Sequence, residues 1–279
     1  MSRSNNRQRI VSGIVLGIIV VAGAFLPPLF HLLMLFSIAW TMHEFFEMSM
    51  GKDFRVERVL VTLAACMLYA GLVLVKCGYL KSATPLAIAA LPVVVAMALP
   101  IWHKDRSRQG SVPYLFASLF YIGIPLALMP VLLYHGGNTP DGLFVLAMLI
   151  TVWVGDIGAY VLGSTLGQRQ GSIKIAPSVS PKKSLWGLVG SVLSCSALAV
   201  GLKYLGLFDF PVVHCVVVGV IASLAGLVGD LIESLWKRYF GVKDSGNLIP
   251  GHGGLYDRLD SVIFALPLIS FYLAVFGLI

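Results

Sequence analysis

Charged side chains are scarce in this chain. They make up 12% of its 279 residues, against 58% apolar residues and a mean hydropathy of +0.89. A soluble domain carries about a quarter charged residues. With so few polar groups, no hydrated shell can be built around a core of this size, which excludes a water-soluble globular protein and makes lipid the expected solvent. Acidic residues are scarcer still, 13 against 20 lysines and arginines, for a formal charge of +7. In a soluble protein that excess would suggest nucleic acid. Here the basic residues sit in short loops between apolar runs, so membrane topology accounts for them and no nucleic-acid partner is expected. The four cysteines (Cys66, Cys77, Cys195 and Cys215) lie far apart, and no pair has zinc-ligand spacing. They read as small apolar packing groups. No G-x-x-x-x-G-K-[ST] stretch occurs, so a P-loop nucleotide site is unsupported. Internal repeats and low-complexity linkers are also missing. Residues 1–279 therefore read as a single integral membrane domain, with 1–140 mainly apolar scaffold spans and 141–279 the half carrying the chemistry.

What is abundant is long apolar sequence. Windows of about 20 residues predict nine helices, near 10–26, 29–46, 59–76, 84–101, 113–133, 142–163, 185–205, 211–236 and 261–279. The expected fold is all-α, a polytopic transmembrane helical bundle of about nine spans. The N-terminus has the basic start and the Ala22-Gly23-Ala24 triplet of a signal peptide. Its apolar stretch, Ile10 to Leu26, exceeds the roughly 7–15 residues of a signal core, so a retained first span is expected. Lysine and arginine fall almost wholly on one side of this arrangement, leaving only Lys76, Lys81 and Lys203 of the 20 opposite. That asymmetry puts the N-terminus and the two longest loops, 164–184 and 237–260, in the cytoplasm.

Loops of that length in a compact membrane protein are more often functional than connective. They follow helices carrying Asp156, Asp230 and Glu233, and an ionisable residue within a span defaults to a functional hypothesis. In Gly155-Asp156-Ile157-Gly158-Ala159-Tyr160, the carboxylate and phenol are four apart and share a helix face. The loop beyond ends in Ser180-Pro181-Lys182-Lys183-Ser184, where two lysines flanked by hydroxyls suit a phosphate chain. The same lysines also fit a positive-inside anchor. The second cluster is denser. Asp230, Ser234 and Lys237 fall within roughly 60° of one another on a helix, with Glu233 on the flank. Asp257 and Asp260 line up if a helix begins there, after glycines whose N–H groups are open to an anion. Asp230, Glu233, Asp244, Asp257 and Asp260 are five of the 13 acids. Separated carboxylates with surrounding waters suit magnesium, and the set suits metal-assisted phosphoryl or nucleotidyl transfer. A structural ion-pair network is the competing account. Glu44 and Glu47 near the end of the second helix could reach the site or cap the interface.

Ser234–Asp260 resembles the signature of the CDP-diacylglycerol synthases, or phosphatidate cytidylyltransferases. It runs Ser, two residues, Lys237-Arg238, four residues, Lys243-Asp244, then Pro250-x-His252-Gly-Gly and Asp257-Arg258-x-Asp260. The Asp156 and Ser180–Ser184 stretches look like further elements of that family. The specific likeness covers about the C-terminal half. Trp236 stands where the family usually has an aliphatic residue, and Trp186 where it usually has Glu, removing a carboxylate near the proposed nucleotide loop.

The resemblance implies condensation of CTP with phosphatidic acid to CDP-diacylglycerol and pyrophosphate, for phospholipid synthesis. It implies Asp230 and Asp257 as magnesium ligands, with a monovalent cation beside the magnesium. Ser234, Lys237, Arg238, Lys243, Asp244, His252, Arg258 and Asp260 form the implied catalytic set. Asp156, Tyr160, Ser180, Lys182, Lys183 and Ser184 form the implied substrate contacts. It further implies a homodimer, while the charge asymmetry has the site facing the cytoplasm, at the inner membrane if the source is bacterial. Rival readings are another CTP-dependent lipid enzyme, of the CDP-archaeol synthase or polyprenol kinase type, and a transporter, which would favour acids near midplane and repeated halves.

Overall fold

The computed structural model describes residues 3–81 and 83–279, without the side chains of residues 3–7, 9, 107 and 108. Of the basic residues used above for orientation, the side chains of Arg3, Arg7, Arg9 and Arg108 therefore lie outside the described residues. In chain order the helices are α1 (Arg3–Phe25), α2 (Pro27–Met50), α3 (Arg55–Lys76), α4 (Thr84–Ala98), α5 (Val112–Ser118), α6 (Ile124–Ala127), α7 (Met129–Leu133), α8 (Gly142–Thr165), α9 (Leu185–Tyr204), α10 (Val212–Tyr239) and α11 (Tyr256–Val275). Between α8 and α9 lies a hairpin of β1 (Lys174–Ala176) and β2 (Ser180–Ser184).

Among the described residues, eight helical stretches are long and apolar enough to cross a membrane, and Ile10–Phe25 is a shorter apolar helix. Hydrocarbon offers no partners to backbone amides, so a chain this apolar satisfies them internally as helix. The protein is an all-α integral membrane protein. Prolines mark several of the places where helices start or break, although Pro92 and Pro267 lie inside α4 and α11. Pro27 and Pro28 open α2. The stretch Gln109–Leu133 is divided into α5, a π-type turn at Leu119–Gly123, α6 and α7, with Pro113, Pro125 and Pro130 in its three helical pieces.

Several boundaries differ from the hydropathy windows, and the two beside the signature loop differ for one reason. α10 runs to Tyr239 and α11 starts at Tyr256. Their extra turns, Lys237-Arg238-Tyr239 and Tyr256-Asp257-Arg258-Leu259-Asp260, are polar, and a search for apolar runs passes over them. At 28 residues α10 is about 42 Å long, more than the roughly 30 Å of hydrocarbon. Its basic last turn suits the negative end of the helix dipole. The expected loop 164–184 is likewise partly structured, since β1 and β2 pair antiparallel with Lys174 opposite Ser184 and Ala176 opposite Ser180.

The chain forms two compact units, Met1–Gly142 with Val242–Arg258, and Leu143–Gly241 with Leu259–Ile279. In the first, Ile38, Met42, Phe45 and Phe46 of α2 are buried, as are Val61, Ala65 and Tyr69 of α3 and Leu115 and Ile122 of the broken span. In the second, the buried set includes Met148 of α8, Cys195 and Ala199 of α9, Val218 and Ala222 of α10, and Ile263 and Leu266 of α11. The division falls inside α11, after Arg258.

Candidate active site

The second unit carries a cavity of about 570 Å³. Its charged and larger polar lining groups come from α8 (Asp156, Tyr160), the hairpin (Lys182, Lys183) and α10 (Asp230), with Gln168 between α8 and β1. Serines of α8, β2, α9 and α10 complete the polar wall. Val152, Leu188, Ala222 and Leu227 supply an apolar lining. Asp156 and Tyr160 thus share a helix face, as their spacing requires, and both are exposed there.

The hairpin reaches this position because it is tied to the end of α8. Gln168 donates its side-chain amide to the Lys182 carbonyl at 2.9 Å, and Lys174 Nζ donates to the Gly167 carbonyl at 2.8 Å and to Gln168 Oε1 at 2.7 Å. Lys183 Nζ then lies 2.7 Å from Asp230 Oδ2, while Lys182 remains exposed. Ser184 is buried and accepts the N–H of Gly187 at 3.3 Å, the N-cap of α9. Its side chain sets the helix start, although the residue also lines the cavity. Ser180 pairs with Ala176 in the hairpin and is not among the lining residues. Trp186, one of the two departures from the family pattern, is exposed on the first turn of α9.

Asp230 of the cavity lining also belongs to an acidic group, in which Asp230, Glu233 and Asp260 each offer a carboxylate oxygen, all within 4.8 Å of one another. α10 and α11 bring them together through Gly229, where an added Cβ would stand 2.3 Å from the Asp260 carbonyl oxygen. Any larger residue would push the two helices apart. One octahedral cation bonded at about 2.1 Å spans at most about 4.2 Å between opposite ligands, so small side-chain movements suffice to close this set on magnesium. Three carboxylates at this spacing repel one another when ionised. Lys183 offsets Asp230, and Lys237 offsets Glu233 at 2.6 Å in a pair with both side chains largely buried. Asp230 and Asp260 are half-buried while Glu233 is buried, so the first two are the more accessible to a cation. Ser234 Oγ donates to Asp230 Oδ1 at 3.3 Å, consistent with the stripe read from the sequence. Lys237 turns instead to Glu233, the acid placed on the flank. Trp236 stacks on Phe240 with ring centroids 5.7 Å apart, a packing role. Arg238 is exposed.

The rest of the signature lies in the first unit. Asp257 Oδ2 accepts the N–H of Ser245 at 2.9 Å, the hydroxyl of Ser245 at 2.9 Å and the N–H of Gly254 at 2.8 Å. Glu44 of α2, almost fully buried, accepts the N–H groups of Leu255 (3.0 Å) and Tyr256 (2.8 Å), the Ser245 hydroxyl (3.2 Å) and the Trp40 indole N–H (2.9 Å). A Cβ on Gly254 would stand 2.4 Å from Glu44 Oε2, so only glycine admits this approach. Between the two alternatives left open for Glu44, it is bound to the signature loop. Glu47 pairs with Arg58 instead, at 2.5 Å. His252 Nδ1 lies 2.9 Å from Ser12 Oγ, which also donates to the Pro250 carbonyl. That bond ties the Pro-x-His-Gly-Gly turn to α1. Lys243, Asp244 and Arg258 are exposed. Sequence reasoning missed Ser245, Gln168 and the anchoring part played by Glu44. Ser245 follows Lys243-Asp244 directly and carries a hydroxyl, but nothing in its spacing distinguishes it from an ordinary loop serine.

Comparison with known proteins follows the same lines. The family described as "Cytidylyltransferase family" matches residues 7–276. A Bacillus subtilis protein named phosphatidate cytidylyltransferase is 26% identical over 275 residues, 97% of this chain and 98% of its own. Proteins of the same name from Staphylococcus haemolyticus and Staphylococcus aureus are 33% identical over 180 residues and 37% over 182. Each of those alignments covers 64% of this chain, and the chain matches 65% of the length of each staphylococcal relative.

Proposed function

Because this chain belongs to the cytidylyltransferase family, we propose that it condenses CTP with phosphatidic acid to CDP-diacylglycerol and pyrophosphate. The observation that carries the reading is the Lys183–Asp230 pair, at 2.7 Å, in the lining of a cavity with both polar and apolar walls. Such a cavity suits a substrate with a charged head and apolar tails, and the pair presents an ammonium beside a carboxylate where phosphates would lie.

Asp230 and Asp260 are the proposed magnesium donors from this unit, and Asp257 is retained as a metal ligand on the strength of the resemblance alone. A monovalent cation beside the magnesium rests on the same resemblance. Bound magnesium supplies charge neutralisation on the phosphate oxygens. Lys183, oriented by Asp230, donates to a phosphate oxygen, and Lys182 adds a second ammonium from the exposed edge of β2. The lipid phosphate attacks the α-phosphorus of CTP in line. A new P–O bond forms as the α–β bond breaks, and the electron pair leaves on pyrophosphate. The attacking oxygen is already anionic near neutral pH, so positioning and charge neutralisation do the work that a strong base would otherwise do. The basic end of α10 and the one-sided distribution of lysine and arginine support a cytoplasmic N-terminus and a cytoplasmic site, at the inner membrane if the source is bacterial. A homodimer is proposed from the resemblance.

The test is to incubate purified protein with labelled CTP, magnesium and phosphatidic acid and follow the label into the organic phase. Transfer that requires both lipid and magnesium supports the reading. Label released into water whether or not lipid is present would replace it with simple CTP hydrolysis.

A further inference from the structure

Ser223 lies in the middle of α10, with its residue only 2% exposed, and it lines the same cavity as Asp230. Its hydroxyl is buried and has no hydrogen-bond partner among the described residues. A serine inside a helix ordinarily donates to the carbonyl four residues back, as Ser270 does to Leu266 at 2.7 Å. Leaving a buried hydroxyl unmade is costly, and such a group calls for an explanation. Ser223, Gly226, Leu227 and Asp230 all line the cavity at helical spacing, so they share one face of α10. Ser223 is two turns from Asp230, about 10 Å along the axis, towards the middle of the apolar helix and away from its basic end.

Resting on the proposed function, we propose that Ser223 is a lipid-specificity residue whose hydroxyl donates to an acyl-ester carbonyl of the phosphatidate. The lipid would lie along α10 with its phosphate towards Asp230. In a diacylglycerol phosphate, the ester carbonyls sit a few bonds from the phosphorus, on the side of the acyl chains. A donor deeper in the cavity than the charged groups meets that part of the molecule, and rotation about χ1 alone re-aims a serine hydroxyl.

The test compares diacyl phosphatidate with its dialkyl ether analogue, which lacks both carbonyls. Half-saturating lipid is read from turnover and, separately, from lipid-dependent thermal stabilisation of the detergent-solubilised chain without CTP. Wild type should prefer the ester by about threefold to tenfold, the worth of one neutral hydrogen bond. Ser223→Ala should lose that preference through weaker ester binding alone, and Ser223→Thr should keep it. Lipid-free stability of Ser223→Ala should equal or exceed wild type, since a hydroxyl unpaired without lipid has been removed. An unchanged preference in Ser223→Ala, or equal losses for both lipids, would overturn the assignment. So would the same ester preference for phosphatidylcholine, which would make the contact one with bulk lipid. If wild type binds lipid but transfers no nucleotide, the proposed reaction fails while the stabilisation measurement still decides Ser223.

Discussion

Glu44 of α2 accepts the backbone N–H of Tyr256, the first residue of α11, at 2.8 Å. Helix starts leave N–H groups without partners inside the helix, and here a carboxylate more than 200 residues upstream in the chain supplies one. The same side chain takes the N–H of Leu255 and faces the Ser245 hydroxyl, which lies 2.9 Å from Asp257 Oδ2. One proton on Ser245 serves two carboxylates, so the loop, the helix start and Asp257 are held as one unit.

Glu44→Ala removes the acceptor for several donors at once. Hydrogen bonds to charged groups contribute about 1.5–3 kcal/mol each, and they are not additive. The expected outcome is destabilisation of about 2–4 kcal/mol, read as a lower melting temperature in detergent, with turnover reduced at least tenfold. Glu44→Gln keeps one acceptor oxygen and should fall between the two. Wild-type stability in Glu44→Ala would show that the loop holds without it.

Asp257→Asn should abolish turnover with little change in melting temperature. The amide oxygen can still accept from Ser245 and Gly254, so the loop persists while the negative charge is lost. Measured turnover near the wild-type rate would remove Asp257 from the mechanism.

Lys183 and Lys182 should separate in kinetics. Lys183→Met leaves Asp230 without its 2.7 Å partner, and truncating one member of a partly buried charge pair costs a factor of about 10² or more; kcat should fall. Lys182→Ala, on the exposed edge of the hairpin, should chiefly raise the CTP concentration needed for half-maximal rate. An unchanged CTP dependence would support membrane anchoring for Lys182 instead.

Gly229→Ala tests the geometry of the acidic cluster. The added methyl would stand 2.3 Å from the Asp260 carbonyl oxygen, so α10 and α11 must separate. Overpacking of this kind costs about 1–3 kcal/mol. The magnesium concentration giving half-maximal turnover should rise as Asp230 and Asp260 move apart. An unshifted magnesium requirement in a folded variant would place the metal elsewhere.

The sequence by itself determined the solvent and the fold class, because hydropathy is a local sum and lipid admits only internally bonded helices to a chain this apolar. It also determined the polar signature residues, since Asp230, Lys237, Asp257 and Asp260 stand out in a chain with few charges. Spacing on a single helix predicted the Ser234–Asp230 contact, for the same local reason. Only the tertiary structure decided which groups meet across elements. It gave Lys183 to Asp230 and Lys237 to Glu233, made Ser184 a helix cap, and set Asp260 beside Asp230 through the gap at Gly229. It also drew Glu44 to Tyr256. Such pairings depend on how two backbones approach, and a contact between positions 44 and 256 leaves no periodic trace in a single chain.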